Sequence, residues 1–526
     1  MLIFNSMEKE PEIGTGLESL IQSKLTIDSS NAPQINIQLF DTQINHFNRA
    51  VSILLNNHCF IDTSVMGSGK SFIIMALSQY FDIPLLVFCP GVVEGMWRSY
   101  MKDHSIKDFG ENSVITYTSL VGKEGHPSKF DIIRRNDNIR GIGKFTATEN
   151  FHQIIKHGAL VVFDEAHSLK NNSDQFKACT ALTRAMISTV SSSRFCVLSA
   201  TLMDKEEQAC NMVKFLGFVT GDKMYDLDRE TKKVIPHGLG QLIETCKKYD
   251  ENKTNLILSG NSLKIKKNIK LIVFKLFTEV IKNRVMSSMI PPVIKAKKDA
   301  KNGYYKMPKK NMILLDQAIS ELASATNFNV SNEDVDNTNL GGITTALVKI
   351  EAAKISTFAR LARETLSREK NSKVICCLNY VKENLPDLVD LLKDYEPLVL
   401  YGKIEIKFRD SIIKAFQTDP TRRLLICNIK IGGIGISLHD IVGNSPRTMY
   451  VSPNYSIQDS HQAGGRIYRV GTLSTATIRF VYGAGKKKET GILMALAKKT
   501  NVLKASTGEN NKDVRYPGEY ENYEEM

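Results

Sequence analysis

Short runs of consecutive apolar residues recur along the chain, and stretches with apolar residues at helical spacing lie between them. The first organised stretch begins at Leu39, where Ile44, Phe47, Ala50, Val51 and Leu54 follow a helical period that closes near Asn56-Asn57. Strand-like runs follow at Cys59-Phe60-Ile61, Ile83 to Pro90, Ile115 to Ser119, Ala159 to Phe163 and Phe195 to Leu198. An Asn/Asp-rich loop at 327–339 precedes a second series of the same kind. There Thr345 to Leu366 reads as helix, while Val374 to Leu378, Leu398 to Tyr401, Leu424 to Cys427, Thr448 to Val451 and Ala476 to Phe480 read as strands. Strands that are apolar on both faces need cover on both faces, which a parallel sheet between helices provides. The expected fold is therefore α/β, with two parallel-sheet lobes and a basic, largely helical insertion between them. The pattern divides the chain into an N-terminal extension (1–37), a first lobe (38–221), the insertion (222–344), a second lobe (345–505) and a tail (506–526).

Composition narrows the class. The 526 residues are 42% hydrophobic and 24% charged, enough for two or more buried cores. No apolar run reaches the length that spans a bilayer, and Met1 to Glu10 has neither a basic n-region nor a long apolar h-region. An intracellular protein without a membrane partner is expected, in the cytoplasm with the nucleus as the alternative. Nine cysteines are scattered without a CxxC pair, so reduced thiols are expected rather than a disulfide or zinc framework. The net charge of +13 is concentrated: 222–310 holds 21 basic and 9 acidic residues, leaving the rest of the chain nearly neutral. Such a module points to a polyanion, nucleic acid above all. After Ser506 the tail has 6 acidic and 2 basic residues and reads as mobile.

The chemistry centres on Met66-Gly67-Ser68-Gly69-Lys70-Ser71, placed where a strand turns into a helix. Glycines let backbone N–H groups close on phosphates, the helix N-terminus adds partial positive charge, Lys70 can reach the β/γ-phosphates and the Ser71 hydroxyl can ligate Mg²⁺. Ser64 stands where the full pattern has a further glycine. A second group, Asp164-Glu165-Ala166-His167, follows the strand Ala159 to Phe163. Asp164 is placed to hold Mg²⁺ through water and Glu165 to orient or deprotonate the attacking water. Ser199-Ala200-Thr201 follows the next strand as a candidate coupling element. In the second lobe, Asn428 to Ile436 places Lys430 and a glycine cluster including Gly435 after a strand, where backbone can approach phosphates. Gln462 to Gly471 carries Arg466 and Arg469, spaced to share one helical face and to stabilise charge on a γ-phosphate.

This ordered set resembles the superfamily 2 helicases, and within them the Swi/Snf-type DNA translocases. The resemblance runs from about Leu39 to Gly483 and implies two RecA-like lobes that use ATP and Mg²⁺. It makes Gln43 the adenine-reading glutamine and Val87 to Trp97 similar to motif Ia. Asp164 to His167 is then the DEAH box with its Leu169-Lys170-Asn171 sequel, and Ser199-Ala200-Thr201 is motif III. Lys430 to Gly435 is similar to motif V, and Gln462, Gly465, Arg466 and Arg469 fall on motif VI. The family tolerates a non-glycine where Ser64 stands. Val470-Gly471-Thr472 and Ser199-Ala200-Thr201 depart from the Ile-Gly-Gln and Gly-Thr-Pro of chromatin remodellers. The chain looks more like the compact helicase-like ATPases of large DNA viruses, which implies a viral factory or virion as further locations and transcription machinery as a partner. Lys264, Lys266, Lys267, Lys295, Lys297 and Lys298 are the expected phosphate contacts, with DNA favoured over RNA. An RNA helicase, or a transcription-complex subunit that mainly holds partners together, are the rival readings.

Overall fold

The computed structural model describes residues 35–122, 128, 130–231, 233–261, 266–291, 293–327, 340–430, 436–485, 489–511 and 514–525. They form two compact units. The first comprises Met1–Ser64, Gly69–Ile290 and Ala505–Asn510, and the second Val65–Ser68, Pro291–Lys504 and Asn511–Met526. Among the described residues no helix is long and apolar enough to cross a membrane.

In the first unit, helix α1 (Asp41–Asn56) buries Gln43, His46, Phe47, Ala50, Val51, Ile53 and Leu54 on one face. Strand β1 (Cys59–Asp62) leads through the phosphate loop into helix α2 (Lys70–Phe81), whose Ile73 to Leu77 are fully buried. Then come β2 (Leu85–Cys89), helix α3 (Glu94–Asp103), β3 (Val114–Thr116), the antiparallel pair β4 (Ile133–Arg135) and β5 (Phe145–Ala147), β6 (Leu160–Asp164) and β7 (Arg194–Leu198). A second antiparallel pair, β8 (Tyr225–Leu227) and β9 (Val234–Pro236), precedes β10 (Met286–Ser287). The main sheet has the order β10-β1-β7-β6-β2-β3, with every neighbouring pair parallel.

The second unit holds β11 (Lys298–Tyr305), the long helix Leu340–Arg368, β12 (Lys373–Leu378), β13 (Leu398–Leu400), β14 (Leu424–Asn428), β15 (Arg447–Val451), β16 (Ala476–Gly483) and β17 (Glu521–Glu524). Its seven-stranded sheet has the order β13-β14-β12-β15-β16-β11-β17 and is parallel throughout. Two parallel sheets with helices are thus present as expected.

Several boundaries differ from the apolar pattern. The run at Ile115 leaves the strand at Thr116, because the Thr116 Oγ1 accepts the Ser119 N–H at 3.1 Å and starts the helix Tyr117–Val121. The basic insertion is not one module: its part up to Ile290 belongs to the first unit and its part from Pro291 to the second. Ile269, Ile272, Val273 and Leu276 of the helix Lys266–Leu276 are buried, so apolar spacing anchors a lysine-rich helix in the first core. The tail, expected to be mobile, is packed instead. Ser506 and Thr507 are buried, β17 pairs with β11, and Arg360 grips Glu525 at 2.7 and 2.8 Å. Its acidic letters concealed Tyr516 and Tyr520, whose rings are buried in the second unit.

Candidate active site

Strand β7 lies between β1 and β6, and its Leu198 pairs with both Asp62 of β1 and Asp164 of β6. The three strands are parallel, so all of them end on one edge. The phosphate loop leaves β1 there, Asp164-Glu165-Ala166-His167 leaves β6, and Ser199-Ala200-Thr201 leaves β7. A parallel sheet receives its ligands at the carboxyl edge of its strands.

Within the loop, Gly67 and Gly69 have φ of +74° and +92°, which side chains with a Cβ rarely adopt. A Cβ on Gly69 would also collide with the amide nitrogen of Gln43. That near-contact brings the predicted adenine-reading glutamine to the loop, while its Oε1 accepts the Phe40 N–H at 2.9 Å. Met66 is half-buried and Ser68 buried, its Oγ donating to the Val65 carbonyl at 2.8 Å. Lys70 opens α2 and its Nζ donates to the Ser64 carbonyl at 2.9 Å; Ser71 follows, half-buried, in the first turn.

Ser64 carries three bonds. Its N–H donates to Asp62 Oδ1 at 2.8 Å, its carbonyl receives Lys70, and its Oγ accepts the Met289 N–H at 2.8 Å. Asp62 is buried, with His46 Nε2 3.0 Å from its Oδ2, and His46 Nδ1 lies 3.2 Å from Ser287 Oγ. Burial opposes ionisation of Asp62, but His46 and then Lys70 outweigh it and hold the carboxyl below its usual range. Sequence reasoning missed this pair. Its signal was a carboxylate closing an apolar strand just before the loop, with His46 on the buried face of α1.

At the end of β6, Asp164 Oδ2 accepts the Trp97 Nε1–H at 2.8 Å, its Oδ1 accepts the Glu165 N–H at 2.9 Å, and its carbonyl accepts the Tyr117 hydroxyl at 2.7 Å. Burial, reinforced by the neighbouring Glu165 charge, raises Asp164 to about 6. Glu165 sits at φ +49°, a strained left-handed conformation, with His167 Nδ1 3.1 Å from its Oε2. Burial opposes the charge on Glu165, yet His167 and Lys70 bring its carboxyl below the ordinary value. Two adjacent carboxylates, Asp164 buried and Glu165 half-buried, meet here, and Ser71 and Asp164 offer the hard oxygen donors that Mg²⁺ prefers. The residues present fit that ion.

Ser199, Ala200 and Thr201 are buried, and Ser199 Oγ accepts the Thr201 N–H at 3.2 Å while the Ser199 N–H bonds the Asp62 carbonyl at 3.0 Å. Lys170 of the DEAH sequel forms a buried pair with Asp204 at 2.9 Å.

In the second unit Arg466 is 2% exposed. Its Nη2 donates to the Ile429 carbonyl at 2.6 Å, joining the arginine motif to the end of β14, whereas its Nε and Nη1 have no hydrogen-bond partner among the described residues. Arg469 Nη1 donates to Ser437 Oγ at 2.7 Å. The two arginines do not share a helical face. The helix Ile457–Ile467 stops before Tyr468, which is extended, and Thr472 together with Gly471 at φ +89° turns the chain. Gln462 is buried on that helix and Lys430 is exposed beyond β14. Gly435 lies outside the described residues, as do Lys264 and the side chains of Lys266 and Lys267. Lys295 and Lys297 are exposed. Lys298 retains exposed area, but its ammonium lies over the rings of Tyr468 and Tyr520, 5.6 and 5.7 Å from their centroids, and burial lowers its pKa. It packs on these rings while its side chain stays exposed. Tyr304 and Tyr305, the aromatics nearest the basic clusters, are buried, Tyr304 stacked on Tyr482 at 5.4 Å.

Residues 354–471 match the helicase conserved C-terminal domain. A protein of Acanthamoeba polyphaga mimivirus named "Putative ATP-dependent RNA helicase L364" is 22% identical over 507 residues, covering 93% of this chain and 88% of that protein. The TATA-binding protein-associated factor MOT1 of Saccharomyces cerevisiae is 26% identical over 127 residues, 23% of this chain and 6% of its own length. Among solved structures, the Sulfolobus solfataricus SWI2/SNF2 ATPase core in complex with dsDNA aligns over 91% of this chain and 98% of that one, at 14% identity and a TM-score of 0.30.

Proposed function

We propose that this chain is a superfamily 2, Swi/Snf-like helicase core that hydrolyses ATP and couples each turnover to movement along nucleic acid, duplex DNA being the favoured track. The observation that best supports the ATPase reading is the meeting of three motifs on one sheet edge, through the shared pairing of Asp62 and Asp164 with Leu198. Lys70 moves from the Ser64 carbonyl to the β/γ-phosphates, and the N–H groups around Gly67 and Gly69 close on them. Gln43 reads the adenine. Mg²⁺ held by Ser71 and Asp164 would neutralise phosphate charge when bound. Glu165, oriented by His167, takes the proton of the attacking water. Arg466 and Arg469 supply positive charge to the transition state, Gln462 supports them, and Ser199-Ala200-Thr201 couples the site to the second unit.

Lys295, Lys297 and Lys430, with the lysines near 264–267, grip phosphates without reading sequence. The burial of Tyr304 and Tyr305 leaves that region without stacking platforms, which favours backbone tracking along a duplex over single-strand binding. Viral transcription is the setting we favour, the mimivirus source of one relative being in keeping with the viral part, and that relative's name gives RNA as the second reading. The test is ATPase turnover measured side by side with single- and double-stranded DNA and RNA. Duplex DNA is expected to stimulate most. Stimulation by RNA alone would transfer the reading to RNA, and absence of hydrolysis with all four would sink both.

A further inference from the structure

Apart from the short excursion Val65–Ser68 in the phosphate loop, the chain leaves the first unit at Ile290, returns at Ala505 and leaves again after Asn510. The outgoing segment is bonded to Thr63 and Ser64 at the base of the phosphate loop, and the returning segment is bonded to Thr63 and to the outgoing one. On the outgoing side, the Thr63 N–H donates to the Ser287 carbonyl at 3.1 Å and the Met289 N–H donates to Ser64 Oγ at 2.8 Å. On the returning side, the Gly508 N–H donates to Thr63 Oγ1 at 2.9 Å, and Asn510 Nδ2 donates to the Ser288 carbonyl at 2.5 Å. The returning segment is also fixed by Lys282 Nζ on the Ala505 carbonyl at 2.9 Å and by Ser506 Oγ on the Met203 carbonyl at 3.3 Å. Thr63 and Ser64 are fully buried, and a Cβ on Gly508 would collide with Ser288 Oγ. Only a glycine lets the returning backbone come this close.

We infer that Thr63 and Ser64 are positioning residues that transmit the state of the phosphate loop to both chain crossings. The inference rests on the ATP-site reading above. Lys70 Nζ is bonded to the Ser64 carbonyl, and nucleotide phosphates compete for that ammonium. When it moves, the Ser64 carbonyl loses a charge-assisted bond, while its N–H stays on Asp62 and its Oγ stays on Met289. The peptide after Ser64 is then released while both crossings remain tied to its base. The serine that breaks the usual glycine pattern is the one whose hydroxyl makes the outgoing tie. A glycine there would have no such bond.

The full-length chain is tested by amide hydrogen exchange with and without a slowly hydrolysed ATP analogue and Mg²⁺, with analogue affinity measured separately. Exchange in peptides covering 286–291 and 505–510 is expected to change by about fivefold on analogue binding. In Ser64→Ala and Thr63→Val that response should shrink, and nucleic-acid-stimulated kcat should fall about tenfold with KM for ATP within about threefold; Ser64→Thr, which keeps the hydroxyl, should restore it. Analogue binding to the wild-type chain with unchanged exchange in both peptides overturns the inference and leaves the ATP site standing. Loss of analogue affinity in parallel with kcat in the variants overturns it too, since that is simple damage to the loop. Failure of the wild-type chain to bind the analogue overturns the ATP-site reading and this inference together.

Discussion

Trp97, the one tryptophan of the chain, donates its indole N–H to Asp164 from a helix 67 residues earlier. It is thereby a built-in reporter on the carboxylate assigned to the metal. Binding of an ATP analogue with Mg²⁺ should change intrinsic fluorescence, and Asp164→Asn should abolish that change. Trp97→Phe keeps the ring but removes the donor, so turnover should fall about tenfold, in line with the loss of one hydrogen bond to a charged group. Lys70→Ala removes the phosphate-binding ammonium, and phosphate-release assays should register a drop of at least about a hundredfold with the circular dichroism spectrum unchanged. Asp62 makes a stability statement. Its folded pKa lies below the usual 3.8, so its contribution is present above that pH and is lost as pH falls below it. Asp62→Asn should therefore cost about 3 kcal/mol in denaturant titrations at pH 7, as breaking a buried pair does. The gap to wild type should narrow near pH 3. Equal gaps at both pH values would mean that Asp62 does not act through its charge. None of these partners was legible as a pair: the Asp164 motif and Trp97 each stood out in the sequence, but their bond depends on how β6 and α3 meet.

At the scale of elements, the strands that were legible are those buried on both faces, such as β2, β6, β7, β12 and β14, because burial there demands uninterrupted apolar letters. The strands of the two parallel sheets that were not legible are β10, β11 and β17. Strand β11 reads Lys298-Asp299-Ala300-Lys301-Asn302-Gly303-Tyr304-Tyr305, a text dominated by charge. Two of its polar side chains find partners on distant segments: Arg479 pairs with Asp299, and the buried Asn302 Nδ2 donates to the Tyr520 carbonyl at 3.0 Å and to that of Pro517 at 3.3 Å. Such compensation comes from segments 180 to 218 residues away and leaves no local periodicity. Strand β17 closes the edge of β11. Truncation after Asn511 would remove it together with the buried Tyr516 and Tyr520, each worth about 1.5–3 kcal/mol of burial. The second unit should then melt at a lower temperature and self-associate through the uncovered edge, as scanning calorimetry and light scattering would reveal.

For the molecule as a whole, the proposed cycle divides its chemistry between residues of the two units, and its two kinds of charge should separate experimentally. Arg469→Ala should lower kcat at least about a hundredfold while nucleotide affinity stays within about threefold, because a finger acts on the transition state. Reversing Lys295 and Lys297 to Glu should instead weaken nucleic-acid binding and reduce the slope of log affinity against log salt by about 2, with ATP affinity unchanged. An unchanged slope would remove those lysines from the interface. The sequence by itself determined the α/β class, the order of the motifs and the residues proposed to hold ATP, because burial on both faces and phosphate chemistry each restrict the letters allowed at fixed local spacings. Only the tertiary structure decided that Asp62, Asp164 and Ser199 share one sheet edge, that Arg466 and Arg469 part at the end of a helix, and that the basic segment and the acidic tail are built into the units. Those outcomes depend on which distant segments become neighbours, and a hydrogen bond between distant residues leaves no spacing in the chain from which to read it.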